Sequence, residues 1–545
     1  MANCGDRARA GKRPPISKNR GRLSLLLGGI FVLRSRLAPA ATALAAIVSV
    51  GLSGCSGGRS LIPGTGGVPF AGLGASHPGM FSRLKRNPPV GMQLAWLMTD
   101  GTVLAQSYSG NTFYQYTPDS TGSYSNGTWK QVGSLQAGYA PSAGSSVVLA
   151  DGRLLFIGGE YNSPGNYDLQ LVNLGAIYDP VKQTWAKLGH PKGWKWIGDS
   201  PITVLADGRV LLGDKLHDWD AILDPGKSLK WKKVSSKGKS DWNAEEGWTL
   251  LADGTVLTAD VLNAPNSEIY NPVTSTWKTA GSTIVDLHSP SPFHQCLQYG
   301  PKPQDCYLPP GEIGPSMLRP DGTVLWNGSG SGPSGYGVGH NSVYHSTGSQ
   351  AGTWTKAPDF PNGDNAGDSF SVLEPSGNVL VFGVSGSMYE WNGTAFSQVG
   401  SWAGAPILLP TGQVMMFGYS NSVLYTPSGS PQSAWAPTIT DVGSSLTHGQ
   451  TYKITGTQFN GLSQAVAFGD EYQTATNYPL VRITNKASGH VFYARTHDHS
   501  SMGVATGSAS VSTMFDVPSN IETGASNLVV VANGIASQPA KVTIH

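Results

Sequence analysis

The chain has 545 residues, of which only 13% are charged, and its glycines (71) and prolines (37) are abundant, as in all-β proteins with many turns. The 36 Lys and Arg residues against 34 Asp and Glu give a formal charge of +2. Nine bases and one acid lie in the first 55 residues, so the remainder holds 27 bases against 33 acids. This mildly acidic remainder argues against nucleic acid as a partner.

Residues 1–55 predict an export signal that is not part of the fold. A basic leader precedes an apolar run over residues 37–54, which ends in Leu52-Ser53-Gly54-Cys55. This ending resembles a bacterial lipoprotein signal, in which the cysteine accepts the lipid. The alternative is an uncleaved membrane anchor of about 18 residues. Both interpretations predict export and attachment to the cell envelope.

Residues 56–89 are rich in Gly, Pro and Ser and predict a tether. Throughout residues 90–435, a short motif that is Asp-Gly in most copies recurs between two apolar runs. Asp-Gly between apolar runs predicts a β-hairpin with a tight primed turn. Seven such hairpins predict an all-β protein with a seven-bladed β-propeller. Five copies are Asp-Gly, namely Asp100-Gly101, Asp151-Gly152, Asp207-Gly208, Asp253-Gly254 and Asp321-Gly322, and two weaker copies are Ser376-Gly377 and Thr411-Gly412.

A second motif comes after each hairpin: a Tyr (Leu223 in the third copy) is followed by a Trp or Phe, with a Pro-containing turn between them in five of the seven copies. We expect the second aromatic to lie on the fourth strand of its blade and to pack between neighbouring blades, where a large ring buries much apolar area. These residues are Trp129, Trp185, Trp231, Trp277, Trp354, Phe396 and Trp435.

Cys296 and Cys306 flank a Pro- and Gly-containing stretch in the longest interval between hairpins. In an exported protein this arrangement predicts a local disulfide. A metal or redox site is the alternative, but no second cysteine pair completes one. The disulfide would therefore close an insertion and not join two blades.

Residues 436–545 have no Asp-Gly repeats, but they alternate polar and apolar positions over several short runs. Such alternation predicts strands with one buried face. About 110 residues of short strands predict an immunoglobulin-like β-sandwich.

The hairpin repeats and the C-terminal strands together resemble the kelch-type propellers, and more narrowly the galactose oxidase and glyoxal oxidase family, over residues 90–545. The resemblance implies a copper ion on the propeller axis, held by a Tyr-His pair before one hairpin, a His from the C-terminal domain and a Tyr cross-linked to Cys. The repeats are specific for the fold and weak evidence for the activity.

The copper ligands of that family do not match this sequence. Tyr344-His345 follows a hairpin, residues 469–477 hold no His, and the propeller has no Cys outside the insertion. A copper-radical site needs all of these ligands together, so we expect copper to be absent. The positions equivalent to the Tyr-His pair hold carboxylates in four consecutive blades, namely Asp199, Glu245, Glu312 and Asp368.

We expect these four carboxylates to ring one end of the axis, with Glu246 beside them. Gathered carboxylates need compensation. A Ca²⁺ ion would supply it, because calcium prefers several oxygen ligands, and sugar hydroxyls could also donate to them. The alternative is that the acids pair with backbone N–H groups, Arg or Lys and only seal the axis. Aromatic residues in neighbouring loops are candidates for stacking on a sugar, namely Trp194, Trp196, Trp242, Trp248 and Tyr336.

His497 and His499 lie in a stretch that does not fit the family. On a strand, residues two apart face the same side, and this spacing suits a metal. A solvated hairpin is the alternative.

Two classes of function follow from the sequence. The first is an exported, membrane-anchored propeller that binds carbohydrate or another extracellular ligand. The second is a divergent copper-radical or other metal-dependent oxidase. The cofactor is undetermined by the sequence, with Ca²⁺ favoured over copper at the axis.

Overall fold

The computed structural model describes residues 79–162, 170–289, 295–296, 306–307, 311–332, 337–418, 421–469 and 475–545, so Cys55 lies outside the described residues. These residues form β-strands joined by turns, with helical structure limited to short 3₁₀ turns at Tyr124–Asn126, Gly348–Gln350, Pro361–Gly363 and Ser433–Trp435. In the described ranges, no helix has the length and apolar character needed to cross a bilayer.

Seven antiparallel sheets form the blades of a β-propeller, which confirms the predicted number. The first strands of neighbouring blades contact one another and therefore surround the axis. From axis to rim, blade 1 is Met92–Leu97, Val103–Ser107, Phe113–Thr117 and Thr128–Gln131; blade 2 is Ser145–Val148, Leu154–Ile157, Gly175–Asp179 and Thr184–Leu188; blade 3 is Ile202–Val204, Val210–Gly213, Asp220–Asp224 and Ser228–Val234. Blade 4 is Thr249–Leu250, Val256–Ala259, Asn266–Asn271 and Thr276–Ser282; blade 5 is Ser316–Leu318, Thr323–Gly330, Gly339–His345 and Thr353–Ala357; blade 6 is Ser371–Leu373, Val379–Phe382, Ser387–Trp391 and Phe396–Ser401; blade 7 is Pro406–Leu408, Val414–Phe417, Ser422–Thr426 and Met80–Arg83.

The five Asp-Gly motifs and their Ser376-Gly377 and Thr411-Gly412 variants do join the two inner strands of each blade, but not through the predicted primed turn. In blade 1, Gly101 N donates to Met98 O (3.0 Å) and Met98 N donates to Thr102 O (2.8 Å). This pattern is a type I turn followed by a residue with positive φ, and Gly101 has a φ of 74°. The Asp100 carboxylate accepts from Thr102 N (3.0 Å), which explains why Asp precedes the glycine.

The repeated tryptophans pack between blades, as predicted. Trp185 of blade 2 lies 4.6 Å from Phe113 of blade 1, measured between ring centroids. Trp354 of blade 5 donates to Ser267 Oγ of blade 4 at 2.9 Å. The exception is Trp435, which lies in a 3₁₀ turn and not on a fourth strand.

The fourth strand of blade 7 comes from the other end of the chain. Met80–Arg83 pairs with the third strand of blade 7, with Met80 opposite Thr426 and Arg83 opposite Val423. These residues fall within the range predicted as a tether, and their sequence alone carries no strand signal. The pairing closes the ring and satisfies backbone groups that the last blade would otherwise expose.

The C-terminal strands form one curled sheet. Thr438–Val442 and Ser445–Leu446 are separated by two residues, yet they occupy opposite ends of the strand order, so the sheet must curl until its edges approach. The immunoglobulin-like assignment is finer than this observation and remains a prediction. Between the two ends, the order is Thr451–Thr457, Val511–Asp516, Val491–His497, Leu480–Asn485, Gly524–Ala532 and Ala540–Ile544, with Ile535–Ala536 paired to Gly524–Ala532.

The curled sheet covers the end of the propeller where the Asp-Gly turns lie. Thr496 N donates to Thr99 O (3.1 Å), and His499 N donates to Ala150 O (3.1 Å). A binding site on the axis is therefore expected at the opposite end, which these contacts do not cover.

The two cysteines of the insertion are brought opposite each other by the backbone. Gln295–Cys296 and Cys306–Tyr307 form a two-residue antiparallel ladder in which Cys296 pairs with Cys306. The ladder belongs to no blade, as predicted. The disulfide itself remains a prediction.

Candidate functional site

Three of the four predicted carboxylates meet on the axis. Glu245, Glu312 and Asp368 each offer one carboxylate oxygen, and these oxygens all lie within 4.8 Å of one another. Each residue precedes the innermost strand of its blade by three or four positions, so each lies at the end of the axis opposite the Asp-Gly turns. We call Asp199, Glu245, Glu312 and Asp368, together with Glu160, the axial cluster.

The fourth carboxylate, Asp199, joins the cluster through Lys215. The Lys215 ammonium donates to Asp199 Oδ2 and to Glu245 Oε1, and all three side chains are at least 92% buried. The alternative that the acids pair with a basic residue is therefore correct for Asp199 and Glu245. Sequence reasoning missed Lys215, which follows the second strand of blade 3.

Glu160 is the second member that sequence reasoning missed. Burial and the nearby Asp199 carboxylate raise the pKa of Glu160 well above its ordinary value. Tyr161 hydrogen-bonds to Glu160, and burial raises the pKa of this phenol as well. Both residues follow the second strand of blade 2, as Lys215 follows the second strand of blade 3. Because second strands run antiparallel to the innermost strands, they end at the end of the axis where the axial cluster lies. That shared position is the signal that could have identified them.

The pKa of Glu312 is raised as well. Burial and the Glu245 carboxylate raise the pKa of Glu312 to about 8. Glu312 and Asp368 are only half-buried, so solvent reaches this side of the cluster. At neutral pH, the cluster therefore holds a proton that a bound cation would displace.

The backbone at two of the carboxylates is in the left-handed region. Glu245 has a φ of 58° and Asp368 a φ of 47°. Non-glycine residues with such angles cost on the order of 1 kcal/mol or more, and they concentrate at functional sites. Ala143, at the equivalent position of blade 2, has a φ of 47° as well, so this backbone conformation is shared between blades and does not by itself indicate a role for the axial cluster.

A segment of the C-terminal domain, residues 460–469, runs along the axis to the cluster. Val466–Ala467 pairs with the innermost strand of blade 6, and Gln464 accepts from Leu250 N (3.1 Å) and donates to Thr203 Oγ1 (2.9 Å). At its end, a Cβ added to Gly469 would lie 2.7 Å from Ile313 O, so only glycine fits there. The segment therefore closes the axis beneath the cluster.

Glu246 does not belong to the axial cluster. Its side chain is fully buried in blade 4, where Lys239 Nζ donates to Glu246 Oε1 (2.7 Å) and Glu268 Oε2 (2.8 Å). Asp241 and Asp260 lie beside them, and Asp241, Glu246 and Asp260 again have oxygens within 4.8 Å of one another. We call Lys239, Asp241, Glu246, Asp260 and Glu268 the blade 4 cluster. Lys239 already supplies a positive charge to these buried carboxylates.

The histidines at positions 497 and 499 are not on the axis. His497 ends its strand and contacts Asp498 (2.8 Å) and Asp516 (3.1 Å). Asp498 has a φ of 52°, which breaks the strand alternation, and His499 turns inward against Thr513 (2.8 Å). Burial, reinforced by His497, lowers the pKa of His499 to about 3. The described residues bring no third metal ligand to this pair.

The predicted aromatic surface is also largely absent. Trp194, Trp196 and Trp248 are at least 91% buried, so they cannot present a ring face to a sugar. Trp242 is half-buried, and Tyr336 lies outside the described residues.

No protein-family model and no curated protein matches the chain. Solved structures do match it. A fungal alcohol oxidase of the AA5 family in complex with copper has a TM-score of 0.46 and 13% identity, covering 86% of this chain and 100% of its own. Virginiamycin B lyase from Staphylococcus aureus has a TM-score of 0.40 and 11% identity, with 64% and 98% coverage. Hydrazine synthase from Kuenenia stuttgartiensis has a TM-score of 0.38 and 12% identity, with 62% and 95% coverage.

Proposed function

We propose that this chain is an exported, membrane-anchored propeller that binds an extracellular ligand at the axial cluster through a divalent cation, with Ca²⁺ the best fit. The observation that carries the proposal is the approach of the Glu245, Glu312 and Asp368 oxygens to within 4.8 Å of one another. Oxygens that share one Ca²⁺ at 2.3–2.6 Å can lie at most about 5 Å apart.

Charge supports a cation at this position. The axial cluster contains five carboxyl groups, and the Lys215 ammonium pairs with two of them, Asp199 and Glu245. A divalent cation would displace the proton of Glu312 and relieve the repulsion among the carboxylates. Because Ca²⁺ prefers oxygen ligands, water can occupy the coordination positions that Glu245, Glu312 and the half-buried Asp368 leave open.

The ligand class that fits is one rich in hydroxyl groups, and we propose carbohydrate. Calcium takes six to eight oxygen ligands, so three carboxylates leave positions for a pair of hydroxyls. Further hydroxyls can donate to the carboxylates. This recognition requires no aromatic platform, which agrees with the burial of Trp194, Trp196 and Trp248.

Calcium-dependent stabilisation tests the site. A ligand that binds only the folded state raises its stability by mass action, so Ca²⁺ should raise the melting temperature of the chelated protein. The Glu245→Gln/Glu312→Gln variant should lose this rise, whereas the control Glu522→Gln, a carboxylate in the loop before Gly524–Ala532, should keep it. A glycan-binding screen with and without Ca²⁺ then tests the ligand class. No calcium response in the wild-type protein would contradict the proposal.

Metal analysis tests the alternative. The second candidate is a divergent copper-radical or other metal-dependent oxidase, as the sequence resemblance implies. Stoichiometric copper with a radical-type visible spectrum in the purified protein would replace the binding proposal with this one.

The lipid attachment has its own test. If Cys55 accepts a lipid, Cys55→Ser should leave the chain uncleaved or release it from the membrane fraction. An unchanged mature N-terminus and unchanged detergent extraction would contradict the lipoprotein interpretation.

A further inference from the structure

The outer edge of blade 3 differs from that of every other blade. Its fourth strand, Ser228–Val234, contains Lys230, Lys232 and Lys233, whereas the fourth strand of each other blade contains at most one basic residue. Lys227 and Lys237 lie just outside the strand, and all five lysines are exposed. We call these five lysines the lysine flank.

Edge protection alone does not account for the flank. A single lysine on an outer strand is enough to discourage pairing with another sheet edge, and blades 1, 4 and 5 have one each at Lys130, Lys278 and Lys356. Within the described residues, ion pairs neutralise Lys227 through Asp224 (2.8 Å), but not Lys230, Lys232 or Lys237. The flank therefore keeps a concentrated positive charge on a protein whose body is net acidic.

Apolar side chains are exposed along the same edge. Leu229 is 41% exposed and lies between Lys227 and Lys230, and Trp219 is 38% exposed beneath Lys233, whose ammonium lies 4.7 Å from the Trp219 ring centroid. Lysines interleaved with exposed Leu and Trp are typical of surfaces that meet the bilayer interface, where the cations contact headgroups and the apolar groups enter the boundary region. A soluble anionic polymer would use the lysines but not Leu229.

The distance to a membrane is limited by the attachment proposed above. Twenty-four residues separate Cys55 from Met80, the first residue of blade 7's outer strand. Even fully extended, they span at most about 90 Å, so a lipid on Cys55 would keep the whole propeller near the bilayer. Attraction of the flank by anionic headgroups would then choose one orientation, because the rest of the body is repelled.

We propose that the lysine flank of blade 3, with Leu229 and Trp219, docks the propeller on anionic lipid headgroups. The inference uses the membrane attachment of the proposed function, but its test does not need lipidation or calcium. Docking there leaves the axial cluster, which opens at one end of the axis and not at the rim, accessible to its ligand.

Vesicle binding of the full chain, measured in chelator, tests the proposal. Binding to phosphatidylcholine vesicles that contain phosphatidylglycerol should exceed binding to phosphatidylcholine alone and should fall at high salt. Lys230→Glu/Lys232→Glu/Lys237→Glu should weaken binding by at least about tenfold, since each lysine near an anionic surface contributes about 1 kcal/mol. The matched control is Lys130→Glu/Lys278→Glu/Lys356→Glu, which makes the same charge change on the outer strands of other blades. Equal weakening by both triple variants would overturn the proposal.

A local measurement separates the flank from the basic leader, which also attracts anionic lipids. Hydrogen exchange of Ser228–Val234 should slow on anionic vesicles, whereas that of the matched outer strand Thr276–Ser282 should not. Protection of both strands, or of neither, would overturn the proposal. Binding to an anionic polysaccharide, abolished by the flank variant, without protection on vesicles would identify a polymer as the partner instead.

Discussion

Two residues joined by one peptide bond belong to two different carboxylate clusters. The clusters have similar compositions but differ in their access to solvent. Glu245 enters the axial cluster, and Glu246 enters the blade 4 cluster. In blade 4, the side chains of Lys239 and Glu246 are fully buried, and Thr258 Oγ1 and Ser240 N add further donors to Glu246 and Glu268. In the axial cluster, Glu312 and Asp368 are half-buried, and the Lys215 ammonium donates to Asp199 and Glu245.

Access to solvent distinguishes a cluster with a structural role from a candidate binding site. A buried ammonium with fixed partners satisfies its carboxylates permanently, and loss of that ammonium would leave uncompensated charge. A carboxylate cluster with one side open to solvent can instead exchange protons and cations with it. Oxygen spacing alone does not separate the two cases, because both groups lie within 4.8 Å.

The largest expected effect comes from removal of each built-in cation. Lys239→Met should destabilise the protein by about 3–5 kcal/mol, because it leaves buried carboxylates without their counter-charge. Lys215→Met should cost less in the presence of Ca²⁺ than in chelator, whereas the loss at Lys239 should be the same in both. Urea unfolding under the two conditions measures this, and calcium rescue of Lys239→Met would place a metal site in blade 4.

A smaller effect is expected from the two neighbouring glutamates. Glu246→Gln should lower the free energy of unfolding by about 1–3 kcal/mol, because Lys239 loses a charged partner in a fully buried place. Glu245→Gln should change it less, yet should weaken calcium binding at least about tenfold through loss of a charged ligand. Isothermal titration with Ca²⁺ and urea unfolding of both variants should give opposite rankings. The same ranking in both experiments would mean that the clusters have one role.

The smallest effect is a pH dependence of the calcium-free protein. The pKa of Glu312 is about 8 in the folded state against an ordinary value of 4.5, so the folded state holds its proton more tightly than the unfolded state does. Stability should therefore fall as pH rises from about 4.5 to about 8. Glu312→Gln should flatten this part of the profile in thermal unfolding. An unchanged slope in the variant would show that another group titrates there.

Local repetition made the blades predictable from the sequence. Asp-Gly hairpins and the aromatic residues that follow them recur because each blade requires the same two local features. These are a tight turn between its inner strands and an aromatic ring that fills the gap to the neighbouring blade. Counting back from each hairpin also placed Asp199, Glu245, Glu312 and Asp368 at one end of the axis. The choice of the turn type was wrong, since the loop has a type I turn with Gly101 in the left-handed region.

Contacts between distant parts of the chain were decided by the tertiary structure alone. Lys215 and Glu160 reach the axial cluster from second strands, and Met80–Arg83 closes blade 7 from the far end of the sequence. Glu245 and Glu246 are neighbours in sequence yet enter different clusters, and the left-handed backbone at Glu245 is not predicted by its residue type. Repeats specify local geometry, but partners for a buried charge or an open sheet edge depend on which groups the folded chain brings within reach.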